Sequence, residues 1–299
     1  MTEKSLFLRN IWYYAFPSHQ LNQGRSVVKT LLTEEILFER TEAGKVTASQ
    51  HQKHTAARSY PTCEVQGNIW IYIADEGKSY AIEAVPEVPY FGNQTHQLSC
   101  TMRFPSSIDH AVVGLVDPAH VAFVHQAWWW RSPVQLNEVV KTFDPSPYGF
   151  TMRRHPLEQQ TFLYRLLGRN PEVEISFQLP GIRIESISTN QHQACNLTTA
   201  TPISETETEV TNLLYTTLPW VPLLKPLLSS FMHSFLAQDR EVLSKQQIGL
   251  QYDPSMTLVG DADAQARWYY RLKREFAAAA EAGRPFVNPI QPQTLSWRS

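Results

Sequence analysis

Residues 172–188 read EVEISFQLPGIRIESIS, and this stretch decides the fold class. On either side of Pro180-Gly181 the apolar residues alternate with polar ones, the period of a strand buried on one face. The Pro-Gly pair is a turn signal, so 172–179 and 182–188 are expected to form an antiparallel hairpin. Downstream, NLTTATPI (196–203) and TEVTNLLYTTL (208–218) continue the strand character around the turn ISETET. Upstream, 107–127 reads as a helix, with Pro118 behind Asp117 placed to start one segment of it. Beyond the strands come two further helices, at about 227–250 and about 261–282, the second opened by Asp261 and closed near Gly283-Arg-Pro. Helix, antiparallel strands, helix, helix is the order of an α+β domain with helices on one face of a sheet.

The N-terminal part has a different texture. Between residues 7 and 90 the signals are short and β-like: SVVKTLL, EILFER, KVTAS, RSYPTCEV and NIWIYIA, with turn residues between them. The proline-bearing VPEVPYFGN (85–93) is a plausible boundary, dividing the chain into 1–95 and 96–299.

The chain has 299 residues, 42% of them hydrophobic and 18% charged, with a formal net charge of −2. That near-neutral balance, without a run of Lys and Arg, argues against nucleic acid as a partner. Cys63, Cys100 and Cys195 stand far apart and form no CxxC pair, which points to a reducing cytoplasm. The N-terminus is too polar for a signal peptide. The most apolar region, LPWVPLLKPLLSSFMHSFL (218–236), is interrupted by Pro219, Pro222, Lys225 and Pro226, so no membrane span is expected.

Chemistry concentrates in two places. On the helical wheel of 231–250, Phe235, Leu236, Val242 and Leu243 share one face, and Asp239 falls about 40° from Phe235, inside that stripe. A lone buried carboxylate costs several kcal/mol, so something cationic should meet it, either a side chain or a metal. The second place is DPAHVAFVH (117–125). His120 and His125 lie roughly 140° apart on a regular helix, so both can reach one ion only if the second lies past the helix end or the helix is irregular. Either alone could be a packed core histidine. Two imidazoles and one carboxylate with other positions open make the facial triad of non-haem Fe(II) oxygen chemistry, and a carboxylate such as Asp117 beside a ligating histidine commonly fixes its tautomer.

Asp117-x2-His120-x4-His125 resembles the mononuclear-iron motif of the Rieske non-haem iron oxygenases, close to the pheophorbide a oxygenase-like and aromatic-ring-hydroxylating branches. AQDREVLSKQ (237–246) resembles the helix that carries that family's third ligand, which makes Asp239 the carboxylate. NIWYYAF (10–16) and RSYPTCEVQGNIWIYIADE (58–76) are similar to segments flanking the family's iron–sulfur domain. The resemblance implies a β-rich Rieske-like domain over 1–95 followed by a helix-grip catalytic domain over 96–299. It further implies Fe(II) on His120, His125 and Asp239, with Asp117 orienting His120 and coupling it to the electron source. Dioxygen, an apolar aromatic or cyclic substrate, an external reductase or ferredoxin and a homotrimeric assembly follow from the same resemblance. At most one of Trp128, Trp129 and Trp130 would line the substrate pocket.

Two departures stand out. Gly114 occupies a position where many relatives place an Asn close to the iron. More seriously, no CxH or CxxH occurs anywhere in the chain. Only residues 50–57 separate the family-like strands KVTAS and RSYPTCEV, and His51 and His54 have Cys63 as their one nearby cysteine. A Rieske [2Fe–2S] cluster needs two Cys and two His, so this sequence cannot bind one. The break at Gln50–His51 favours an internal deletion over a paralogue fed by another protein. The competing expectations are a non-catalytic helix-grip ligand-binding protein and a structural subunit of a mixed oxygenase trimer.

Overall fold

The computed structural model describes residues 7–51, 58–75, 82, 84–125, 138–157, 167–252, 254 and 256–298. Three antiparallel sheets organise it. Near the N-terminus, β1 (Ile11–Pro17), β6 (Thr62–Val65) and β7 (Asn68–Ile73) form a sheet in the order β1-β7-β6. Beside it, β2 (Ser26–Leu31), β3 (Glu34–Arg40), β4 (Val46–Gln50) and β5 (Ser59–Tyr60) form a four-stranded meander. RSYPTCEV, a single β-like run in sequence, is split between β5 and β6 at Pro61, which has no N–H to give to a ladder.

The third sheet has eight strands. They are β8 (Leu98–Phe104), β9 (Glu138–Ser146), β10 (Gly149–Pro156), β11 (Glu172–Gln178), β12 (Ile182–Ser188), β13 (Gln193–Pro202), β14 (Thr208–Thr216) and β15 (Gln293–Arg298). Their order is β15-β9-β10-β11-β12-β13-β14-β8. The expected hairpin is β11–β12, with Gln178 opposite Ile182 across Pro180-Gly181. The hairpin β9–β10 and the C-terminal strand β15 have no counterpart in the sequence reading. β15 is six residues long and follows a proline-rich stretch, too short a run for its alternation to register.

Strand alternation gives this sheet two faces. Ile182, Cys195, Leu197, Leu213 and Tyr215 pack against Trp12, Tyr14, Trp70 and Tyr72 of the N-terminal sheet. Polar ties join the same layers: Asn68 Nδ2 donates to the Tyr215 hydroxyl at 2.6 Å and Thr201 Oγ1 to the Tyr14 carbonyl at 3.0 Å. Lys29 and Glu209 form an ion pair there with little exposure. The opposite face meets the helices.

The helix expected over 107–127 is two helices, α1 (Ile108–Val116) and α2 (His120–Val124). Ser107 caps α1, its side chain accepting from the His110 N–H. Asp117 ends it in an extended conformation, φ −69° and ψ 113°, as a residue before proline must. The two long helices are α3 (Lys225–Leu250) and α4 (Ala264–Glu281). α4 begins three residues after Asp261, because the Asp261 carboxylate instead accepts the Ser296 N–H of β15 at 2.9 Å. Its end is as expected: Gly283 takes φ +64° and the Arg284 N–H returns to the Ala279 carbonyl. α4 buries Trp268, Tyr269, Leu272 and Phe276, with Trp268 edge-on to Phe143 and Phe150. Among the described residues no helix is long and apolar enough to cross a membrane.

Candidate metal centre

The break at Asp117-Pro118 sets the local geometry. Asp117 Oδ1 accepts the Ala119 N–H at 2.8 Å, bracing the entry to α2. His120 is then the first residue of α2, and His125 follows its last. Ending the helix at Val124 removes the 140° problem, and the two rings meet with centroids 5.4 Å apart. From the other side α3 presents Asp239. One ligand atom from each of His120, His125 and Asp239 lies within 4.8 Å of the others. Among the described residues this is the one group of three or more His, Cys, Asp or Glu side chains so placed.

Each imidazole is oriented by a partner on its far nitrogen. His120 Nδ1 is hydrogen-bonded to the backbone carbonyl of Asp117. His125 Nδ1 lies 3.1 Å from Gln238 Oε1. Since both partners are acceptors, both Nδ1 atoms carry the proton and both Nε2 atoms present a lone pair. From sequence, the Asp117 carboxylate is the group expected to fix the tautomer. The contact is made instead by its carbonyl, because the carboxylate turns to the Ala119 N–H. His125 is 2% exposed, and Phe235 stacks on it at 3.5 Å between centroids, 17° from parallel. Gln238 and Phe235 were not singled out as working parts of a site in sequence; α3 brings them there, one and four residues before Asp239.

Electrostatics favour a cation between these groups. His125 Nε2 is buried without a hydrogen-bond partner, although Asp239 Oδ1 is 3.3 Å away. Burial lowers the pKa of His125 to about 4, and His120 beside it adds to the effect. Burial also lowers that of His120, against the pull of the Asp117 carbonyl. Asp239 moves the other way, raised to about 7 by burial and only partly held down by Arg183. Two neutral imidazoles and a carboxylate short of countercharge surround one point, a donor set suited to a divalent ion. Among the described residues no Lys or Arg forms an ion pair with Asp239; Arg183 pairs with Glu185 at 2.9 Å.

The centre opens on a cavity of about 1540 Å³ between the eight-stranded sheet and the helices. Val242, placed by the helical wheel in the buried stripe, is 46% exposed, since that face of α3 lines the cavity instead of a packed core. Gly114 also lines it, and a Cβ there would meet nothing within 4 Å. Trp128, Trp129, Trp130 and His54 lie outside the described residues. All three cysteines are free, on β6, β8 and β13, and Cys195 is buried.

The sequence matches the family described as vanillate O-demethylase oxygenase C-terminal domain over residues 113–279, more than half of the chain. No curated protein matches it. Among solved structures, apo dicamba monooxygenase superposes with a TM-score of 0.67 at 13% identity, covering 93% of this chain and 99% of that one. The terminal oxygenase of carbazole 1,9a-dioxygenase from Nocardioides aromaticivorans IC177 gives 0.61 at 18%, covering 94% and 96%. NdmA of Pseudomonas putida CBB5, solved with theobromine, gives 0.62 at 12%, covering 92% of each. At these identities the structures speak for the fold: a β-rich N-terminal part followed by a large antiparallel sheet with helices. The domain match shows that this chain belongs to the vanillate O-demethylase oxygenase C-terminal domain family of Rieske oxygenases.

Proposed function

We propose that the chain is the catalytic chain of a Rieske-type oxygenase, an O2-dependent oxidoreductase that hydroxylates a cyclic or aromatic small molecule. His120, His125 and Asp239 hold Fe(II). The single observation that carries this reading is the convergence of their three ligand atoms within 4.8 Å, beside a buried, unpartnered imidazole nitrogen. In a relative of the same fold, dicamba monooxygenase, non-haem iron and dicamba are present together.

Bound there, the iron would activate dioxygen as electrons arrive. This chain's residues do the positioning. The Asp117 carbonyl and Gln238 keep the two imidazoles in the tautomer with Nε2 free, and Phe235 fixes the plane of His125. Asp239 contributes the one negative charge, leaving the centre with net positive charge. The sheet and α3 enclose the substrate away from bulk water. Electrons come from a reductase or ferredoxin outside the chain, reaching His120 by way of the Asp117 segment, because the chain has no cluster of its own. On this reading residues 1–95 are a Rieske-like domain without its cluster and 96–299 the helix-grip catalytic domain, assembled as a trimer.

The missing cluster also favours a second reading, in which the chain is a ligand-binding or structural subunit beside cluster-bearing chains. Nitric oxide separates the two. Anaerobic protein reconstituted with Fe(II) should give a quartet-spin iron–nitrosyl signal by electron paramagnetic resonance, reporting an iron with open positions. An absent signal with iron bound would mean a closed site and would favour the second reading.

A further inference from the structure

We propose that the ligand of the large cavity carries an uncharged polar group, a hydroxyl, ketone or amide, on an otherwise apolar skeleton. A belt of five side chains on the cavity floor, Arg183, Glu185, Asn196, Thr198 and Asn212, reads that group. The inference rests on the oxygenase reading only in calling this ligand a substrate, and it refines the apolar ligand that the resemblance implies.

The belt follows from register. Arg183 is opposite Thr198, Glu185 opposite Asn196 and Thr198 opposite Asn212, so the five occupy two adjacent rows on β12, β13 and β14. All five line the cavity that also contains His120 and Asp239. The neighbouring rows are mostly apolar. Ala200 and Val210 are paired on one side. On the other Ile187 pairs with Ala194, and Thr216, the third member of that row, gives its hydroxyl to the Gln193 carbonyl. Polar groups at the centre of a cavity floor are costly to desolvate unless a partner meets them. An apolar ligand filling this space would cover them without one.

Charge and hydrogen-bonding capacity select the class. Arg183 and Glu185 neutralise each other at 2.9 Å, so the belt has no net charge. Asn196 Nδ2 donates to Thr198 Oγ1 at 3.3 Å, and Thr198 Oγ1 donates to Asn212 Oδ1 at 2.5 Å. That chain uses the amide nitrogen of Asn196 and the carbonyl of Asn212. It leaves the Asn196 carbonyl as an acceptor and the Asn212 amide as a donor. One donor and one acceptor without net charge fit a neutral polar group. A carboxylate would need the cation that Glu185 already holds.

Three matched fluorescent probes test this: phenanthrene, 9-phenanthrol and phenanthrene-9-carboxylate, titrated into the full chain. A purely apolar cavity ranks the hydrocarbon first. The belt predicts 9-phenanthrol first, by about tenfold over either of the others, a margin worth about 1.4 kcal/mol. In Glu185→Gln the freed Arg183 should bring the carboxylate to first place. In Thr198→Val/Asn212→Leu, a variant checked for its thermal unfolding transition, phenanthrene should lead. The order is measured with and without iron and should be the same, so a failed iron assignment would leave the result standing. Equal affinities, no binding of any probe, phenanthrene or the carboxylate first in the unmodified chain, or an order unchanged in both variants would overturn the proposal.

Discussion

His125 Nε2 and Asp239 Oδ1 stand 3.3 Å apart, yet the nitrogen is buried and makes no hydrogen bond. Its other nitrogen is already the donor to Gln238, so Nε2 has a lone pair facing the oxygens of Asp239. Two lone-pair groups brought together in a buried place repel unless a proton or a metal cation lies between them. His125 lies just past the end of α2 and Asp239 on α3, far apart in sequence, and the fold holds them together.

Gln238 should matter for the metal and little for the fold. Gln238→Leu removes the acceptor that fixes the His125 tautomer, and such outer partners are worth about 10–100-fold in metal affinity. We expect Fe(II) affinity to fall by that order in a competition titration, while the thermal transition of the metal-free protein shifts by only a few degrees.

The ion pair between Lys29 and Glu209 ties the four-stranded meander to the eight-stranded sheet. Burial lowers the Lys29 pKa against the pull of Glu209, the signature of a charge taken out of water. Lys29→Met, which strands the carboxylate, should cost about 2–4 kcal/mol in urea unfolding. Lys29→Met/Glu209→Leu should recover most of that loss, because breaking a buried pair costs more than replacing it.

His96 gives the fold an acid-sensitive point. Burial pushes its pKa to about 4, with the charges of His19 and Lys225 adding to the shift, and Tyr215 faces it edge-on at 6.0 Å. The unfolded chain takes up this proton near pH 6.5 and the folded chain only near 4. The stabilisation is therefore complete above about 6.5 and is lost as the pH falls toward 4. His96→Phe should flatten the decline in stability between pH 6.5 and 4 by about 1–2 kcal/mol, allowing for partial solvent screening. Urea unfolding at a series of pH values measures it.

Much of this is legible in the sequence. Alternation around Pro180-Gly181 marks β11 and β12, because strand sides at period two are a one-dimensional signal. Asp239 is conspicuous for the same reason at period 3.6, as a carboxylate within an apolar stripe. The His120–His125 spacing is ambiguous until the helix is known to stop at Val124, and Pro118, which separates α1 from α2, does not mark that stop. What stayed hidden was register. Nothing in the sequence places Thr198 beside both Arg183 and Asn212, so a polar belt built from three strands is invisible in each. The C-terminal β15 was missed because it is defined by its pairing with β9 and not by its own six residues.

Metal analysis of the chain purified without chelator tests the central claim most directly. We predict about one iron per chain, falling at least tenfold in both Asp239→Ala and His125→Ala while their circular dichroism stays that of the unmodified protein. Iron that stays bound in both variants, or a folded chain that takes up none even on anaerobic addition of Fe(II), would contradict the account.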